Sequence, residues 1–257
     1  MRIATWNVNS LTARLPRVEA WLEEAQPDVL CLQETKQTDA AFPHAAFDAL
    51  GYESVHHGQG RWNGVAVVSR VGLERVARGF GDGHDDAGAR LIAADCDGVR
   101  VHSVYVPNGR SLDSEHYVVK LAWLDGLRHL LASTCDPSQP VVVCGDFNVA
   151  PDDRDVWDPA AFEGMTHVSP AEREALQALC DWGLVDVFRR LHPEPGAYSW
   201  WDYRGGSFHL GRGMRIDLVL ATEPVAAGTT GAEIDRDARK GTKPSDHAPV
   251  YIDVVRP

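Results

Sequence analysis

Val141-Val142-Val143-Cys144-Gly145-Asp146-Phe147-Asn148 is the stretch on which the reading of this chain turns. The apolar, β-branched-rich run bounded by Gly145 reads as a strand. It closes on two polar residues, Asp146 and Asn148. Carboxylates inside apolar runs are costly to desolvate unless they are paired or bound to a metal. The same arrangement recurs along the chain. Asn7 follows Ile3-Ala4-Thr5-Trp6, and Glu34 follows Val29-Leu30-Cys31-Leu32-Gln33. Asp217 interrupts Arg215-Ile216-Asp217-Leu218-Val219-Leu220, and Asp246-His247 stands just before Val250-Tyr251-Ile252. If these strands lie side by side, the polar groups converge on one edge of the sheets.

Strands are expected over 2–6, 28–33, 65–69, 91–95, 99–106, 141–145, 216–221 and 250–254. Helical stretches alternate with them. Thr12 caps a first helix, with Leu15, Val18, Trp21, Leu22 and Ala25 on one face and Pro27 as its stop. Ser114 opens a second, striped by Tyr117, Val118, Leu121, Leu124 and Leu127. Ser169-Pro170-Ala171-Glu172 spells a capping box with proline in the first turn, and Gly183 ends that helix. The acidic clusters at 81–86 and at 152–155 read as solvated loops. With no repeat, linker or boundary in view, the whole of 1–257 is expected to form one α/β domain.

Bulk composition narrows the function. Of 257 residues, 44% are apolar and 24% charged, as in an ordinary globular protein. No apolar run is long enough for a membrane helix, and no signal peptide is expected at Met1-Arg2-Ile3. The five cysteines include no Cys-x-x-Cys pair, so buried free thiols in a reducing compartment are expected, not disulfides or zinc. A formal net charge of −12 argues against non-specific capture of polyanions and leaves room only for a local basic face.

The polar groups at the strand ends are oxygen donors plus one imidazole. That set suits a hard cation such as Mg²⁺ and phosphoryl chemistry. Singly, each has a blander account: Asn7 as turn chemistry, Glu34 as a surface flank, Gly145-Asp146-Phe147-Asn148 as a turn, Asp246-His247 as a cap. Asp217 resists this, because a buried acid needs a partner. Nearby, Tyr198-Ser199-Trp200-Trp201-Asp202-Tyr203-Arg204 offers aromatic faces on which bases and sugars pack. For Trp201 core packing is at least as good a reading. Tyr105-Val106-Pro107-Asn108-Gly109-Arg110 can hold a phosphodiester through side-chain donors.

Together these blocks resemble the exonuclease III family of apurinic/apyrimidinic endonucleases, within the endonuclease–exonuclease–phosphatase superfamily. Thr5-Trp6-Asn7-Val8-Asn9-Ser10-Leu11, Pro27 through Lys36, Asn63-Gly64-Val65-Ala66, Tyr105 through Gly109, Gly145 through Asn148, Arg215-Ile216-Asp217 and Ser245 through Val250 carry the likeness in order. The resemblance implies an α/β (α+β) sandwich of two packed mixed β-sheets flanked by helices, deoxyribonuclease I-like. It implies metal ligation by Glu34, with Asn7 beside it and Asp246 nearby, for Mg²⁺ or Mn²⁺ as a substitute. It gives catalytic roles to Tyr105, Asp146, Asn148, Asp217 and His247. Asn108 falls among the phosphate contacts, Trp200, Met214 and Ile216 form a pocket for a flipped abasic sugar, and Arg90, Arg110 and Lys120 contact the DNA backbone or groove. Asn9 stands where some members carry an acid, so it stays outside the metal set.

The implied reaction is hydrolysis of double-stranded DNA 5′ to an abasic site, leaving a 3′-hydroxyl, with 3′→5′ exonuclease action and cleaning of blocked 3′ ends at the same site. Asp146 or His247 serves as base. The implied setting is a monomer in the cytoplasm, associated with the nucleoid during repair. Two alternatives compete: a phosphodiesterase acting on RNA or a phosphoinositide, and a catalytically inactive module that binds damaged DNA. The tryptophan-rich block weighs against the first, and the intact set of polar residues against the second.

Overall fold

The computed structural model describes residues 1–81 and 87–255. Most of the acidic loop expected at 81–86 lies outside these residues. Among the described residues, twelve strands form two six-stranded sheets. In chain order they are β1 (Arg2–Asn7), β2 (Val29–Gln33), β3 (Glu53–His57), β4 (Val65–Ser69), β5 (Glu74–Arg78), β6 (Leu91–Cys96), β7 (Val99–Tyr105), β8 (Val141–Asp146), β9 (Leu184–Asp186), β10 (Asp217–Thr222), β11 (Thr229–Ile234) and β12 (Val250–Val254). The first sheet runs β11-β12-β1-β2-β4-β3 and the second β5-β6-β7-β8-β10-β9. Each has one parallel pair near its middle, β1 with β2 and β7 with β8, and is otherwise antiparallel.

The two-residue period of the strands sorts the core into layers. Ile3, Val29, Cys31, Val65 and Val67 meet Val101, Val142, Cys144 and Val219 between the sheets. Their alternates turn outward. Ala4, Trp6, Leu30, Leu32, Ala66 and Val68 pack under α1 (Leu11–Ala25) and α2 (His44–Asp48). Val141, Val143, Leu218 and Leu220 pack under α3 (Glu115–Thr134) and α4 (Pro170–Trp182). The central strands are covered on both faces, which is why they read as continuous apolar runs. All five cysteines are free thiols, and Cys31, Cys96 and Cys144 are buried.

Several local expectations are corrected. Thr12 lies inside the first turn of α1 and does not cap it. Ser10 holds the cap position with φ 84°, and the Ser10 and Leu11 amides donate to the Glu34 and Thr35 carbonyls, so no side-chain cap is needed. On α3 the buried stripe is Lys120, Trp123, Leu124, Leu127 and Leu131, while Val118 is exposed. The helix is rotated toward a buried cation that the apolar pattern passed over. Asp155 is fully buried between Arg215 and Arg189, not part of a solvated loop. Strands β3, β5, β9 and β11 go beyond the expected set; all four are the outermost strands of their sheets, and β3, β5 and β11 carry polar exposed positions. The capping box at Ser169 and Glu172 and the stop at Gly183 are as read.

Candidate active site

The ends of both parallel pairs open on the same side of the molecule. Asn7 ends β1, and Glu34 leaves β2 in a left-handed turn at φ 50°. On the other sheet Tyr105 and Asp146 are register partners at the ends of β7 and β8, and Asp217 faces Asp146 from β10. At Gly145 a Cβ would fall 1.9 Å from the Val104 carbonyl oxygen, so only glycine lets β8 lie so close to β7 just before Asp146.

Hydrogen bonds knit the two ends together. The Asn7 side-chain amide donates to Glu34 Oε1 at 3.0 Å and to Asp146 Oδ2 at 2.9 Å. His247 donates from Nδ1 to Asp217 Oδ2 at 2.8 Å, which turns its Nε2 to within 3.8 Å of Asp146 Oδ2. Ser199 Oγ donates to the same Asp217 oxygen at 2.6 Å. Trp6 Nε1 donates to the His247 carbonyl, and Ser245 Oγ donates to the Asn7 carbonyl. Thus the ring is bonded to one carboxylate, Asp217, and lies within ion-pair reach of a second, Asp146.

Electrostatics follow from burial. Desolvation pushes the Asp146 carboxyl up to about 7, although the His247 charge pulls the other way. Burial alone would lower His247, but Asp217 and Asp146 reverse this and hold the imidazole up to about 10. Burial, with Glu34 and Asp146 close by, raises the Tyr105 phenol well above its ordinary range. Arg90 lies over the Tyr105 ring, 4.6 Å from its centroid.

A second cluster lies beside the first. Asn108 Nδ2 donates to Asn148 Oδ1 at 3.0 Å, and Asn148 Nδ2 donates to the Val106 carbonyl. The His167 ring meets both amides at 3.2 Å, with its backbone at φ 79°. Beneath them sits Lys120, fully buried, donating to the Asn148 carbonyl at 2.6 Å and the Asn108 carbonyl at 3.3 Å and paired with Glu172. The expectation that Lys120 contacts DNA is therefore corrected. It has no exposed surface, and its charge is spent on the loops that carry Asn108 and Asn148. Arg110 is exposed at the rim, whereas Arg90 is drawn in to the Ala87 and Tyr105 carbonyls.

On the far side, Met214 and Ile216 pack with Ala150 and Val156, and half-buried Trp200 lies against them. Trp200 is bridged to both Met214 and His247. Trp201 is core, packed edge-on to Phe208.

The sequence profile of the Endonuclease/Exonuclease/phosphatase family matches residues 4–247. Exodeoxyribonuclease III of Haemophilus influenzae is 36% identical over 98% of this chain and 99% of its own. The chain belongs to this family, in its exonuclease III branch. An AP endonuclease from Archaeoglobus fulgidus superposes with a TM-score of 0.96 at 40% identity, covering 99% of both chains. The 3′-5′ exonuclease NExo from Neisseria meningitidis superposes with a TM-score of 0.95 at 41% identity, again over 99% of both. The same values hold for the 3′ phosphatase NExo bound to a product DNA hairpin. The family membership makes this chain a nuclease hydrolase on the deoxyribonuclease I-like sandwich.

The residues present suit the metal this family uses. Glu34, Asp146 and His247 each offer a ligand atom, all within 4.8 Å of one another. Asn7 stands against two of the three. Asp246 is set apart from that group: Asn9 Nδ2 and Trp200 Nε1 donate to its two oxygens at 3.0 and 3.1 Å. These bonds and the His247 charge hold its carboxyl below the ordinary range despite burial.

Four contributors went unread in the sequence. Ser199 and Ser245 stand beside Trp200 and Asp246, and serine next to tryptophan or aspartate carries no chemical signal of its own. Lys36, whose ammonium lies 2.9 Å from Glu34 and 2.6 Å from Asn9, closes the Glu34 block without a role of its own in the sequence reading. His167 sits in a loop with no motif.

Proposed function

We propose that this chain is a Mg²⁺-dependent DNA-repair phosphodiesterase, with Mn²⁺ able to substitute, acting in the cytoplasm on duplex DNA at abasic sites and blocked 3′ ends. The observation that carries the reading is the unbroken series of contacts Glu34–Asn7–Asp146–His247–Asp217 across the two sheets. Glu34 and Asn7 would hold the cation, which when bound would supply charge stabilisation to the departing oxygen. Asp146 orients the attacking water and takes its proton. His247, fixed by Asp217, presents Nε2 to a phosphate oxygen and offsets the charge that builds there. Asn148 and Asn108 orient the phosphoryl group from the opposite flank, and Tyr105 closes the site between them. Trp200, Met214 and Ile216 wall an apolar recess suited to a sugar without its base.

A second reading concerns the balance of activities. The His167 ring stands against both phosphate-orienting amides. A ring wedged there crowds the cleft, and a chain end enters a crowded cleft more easily than a continuous strand. The relatives named 3′-5′ exonuclease and 3′ phosphatase add weight to end processing as the main task. The test is a labelled duplex with one internal abasic analogue, beside a duplex ending in a 3′-phosphate, each with Mg²⁺ or EDTA. Mg²⁺-dependent products ending in 3′-hydroxyl support the proposal, and the ratio of the two rates separates incision from end processing. No turnover of either would overturn it in favour of a non-DNA phosphodiesterase.

A further inference from the structure

The chain is strongly acidic overall, yet one face collects guanidinium groups that have no carboxylate partners among the described residues. Arg14, Arg17 and Arg239 converge where α1 meets the loop leading into Ser245-Asp246-His247. Arg14 donates to the Asn9 and Pro244 carbonyls and to the Tyr203 hydroxyl. Arg17 donates to the Ala238, Lys240 and Thr242 carbonyls. These two act as clamps. Arg239 does not. It is 7% exposed, and its Nε is buried with no hydrogen-bond partner among the described residues. Its neighbours are rings: Tyr203 and Phe208 lie 4.9 and 5.2 Å from it.

Rings satisfy the face of a guanidinium and leave its edge donors unspent. A buried donor left idle costs free energy that an acceptor arriving from outside recovers. Arg239 lines a cavity of about 360 Å³, walled also by Tyr203, Phe208, His209 and Lys240. Asp202 adds a carboxylate to the wall, and Lys240 is paired with Asp237 at 2.5 Å, so the cavity is no indiscriminate anion sink. It lies on the Asp246 and Trp200 side of the active site, opposite Asn108 and Asn148. A phosphate matches the forked donors of arginine, and a strand crossing the active site continues onto this flank.

We propose that Arg239 and its cavity form a second phosphate subsite, which grips a backbone phosphate of the DNA strand away from the bond that is cut. The proposal rests on the DNA-directed reading above. It also answers how a chain of net charge −12 holds a polyanion: by guanidiniums without carboxylate partners among the described residues, placed beside the cleft, of which Arg239 keeps a donor free.

The test compares DNA hairpins with stems of about ten base pairs, one helical turn, with stubs too short to reach the flank. Binding is followed in EDTA over a salt series for the wild type, Arg239→Met and Lys240→Ala. Arg239→Met keeps the packing against Tyr203 and Phe208, and Lys240 lies on the exposed rim, so its variant folds even if the first does not. The expected result is a roughly tenfold fall in the long-to-short affinity ratio for Arg239→Met, with a salt slope shallower by about 0.9 from the loss of one phosphate contact. Lys240→Ala should move both quantities the same way by less. An unchanged ratio and slope in both variants would overturn the subsite. If the wild type itself neither binds nor processes the long hairpin, the DNA reading falls instead.

Discussion

His247 and Asp217 are joined through both carboxylate oxygens, at 2.8 and 3.1 Å from Nδ1, with neither side chain open to solvent. One imidazole nitrogen is thereby committed inward, and the other is left to face Asp146 and the cleft. Ser199 bonds the same carboxylate, so the pair is fixed in orientation before any substrate arrives.

Asp217→Asn keeps the shape and removes the charge. Turnover should fall by about 10² to 10⁴, the range of a positioned acid–base group, with KM nearly unchanged. Steady-state kinetics on an end-labelled duplex decide the matter. A change confined to KM would assign the pair to substrate binding.

Glu34→Ala removes the acid that the Asn7 amide and the Lys36 ammonium both address. Half-saturation by Mg²⁺ should rise by at least about tenfold, as for other losses around a metal site. The readout is turnover across a Mg²⁺ titration, and a superimposable curve would remove Glu34 from the metal set.

Lys120→Met strands the Glu172 carboxylate in the interior and frees the Asn108 and Asn148 carbonyls. Breaking a buried pair from one side should cost about 3–5 kcal/mol in urea unfolding. Adding Glu172→Gln should recover at least about 1 kcal/mol, since the two residues are coupled. Strictly additive losses would mean that the ion pair contributes little.

Stability should also fall in mild acid. His102 is 1% exposed in β7, and burial, helped by the Arg100 charge, lowers its folded value to about 4 from an ordinary 6.5. A depressed folded value means that the unfolded chain takes up the proton first. The contribution is complete above about pH 6.5 and is lost as the pH falls toward 4, on the order of 3 kcal/mol. Urea midpoints measured from pH 7.5 downward should decline through this window, and His102→Leu should flatten the decline. A parallel decline in both proteins would place the sensitivity elsewhere.

The strands carrying the site were legible because burial on both faces makes them continuous apolar runs, and the polar residues at their ends then stand out. Asn7, Asp146 and Asp217 each sit at the boundary between core and cleft. Buried ion pairs hid from the same reading. Lys120 and Asp155 look like surface charges until their partners, distant in sequence, are brought against them. Edge strands hid as well, since Glu74 through Arg78 has little apolar content to reveal its pairing. The proposed role of Trp200, Met214 and Ile216 rests on resemblance, for no local pattern distinguishes a recess wall from the core packing in which Met214 and Ile216 are buried.

The pairing of β1 with β12 has a temporal consequence. Ile3 is registered against Ile252, and Asn7 and His247 stand on strands or loops whose neighbours are separated by almost the whole chain. During vectorial synthesis the second sheet has all its strands well before the first sheet does. The first sheet has to wait with β1 unpaired on one side. Catalytic competence should therefore appear late and all at once, when the last strand docks, and a ribosome-held chain stalled before it should be folded in part and inert.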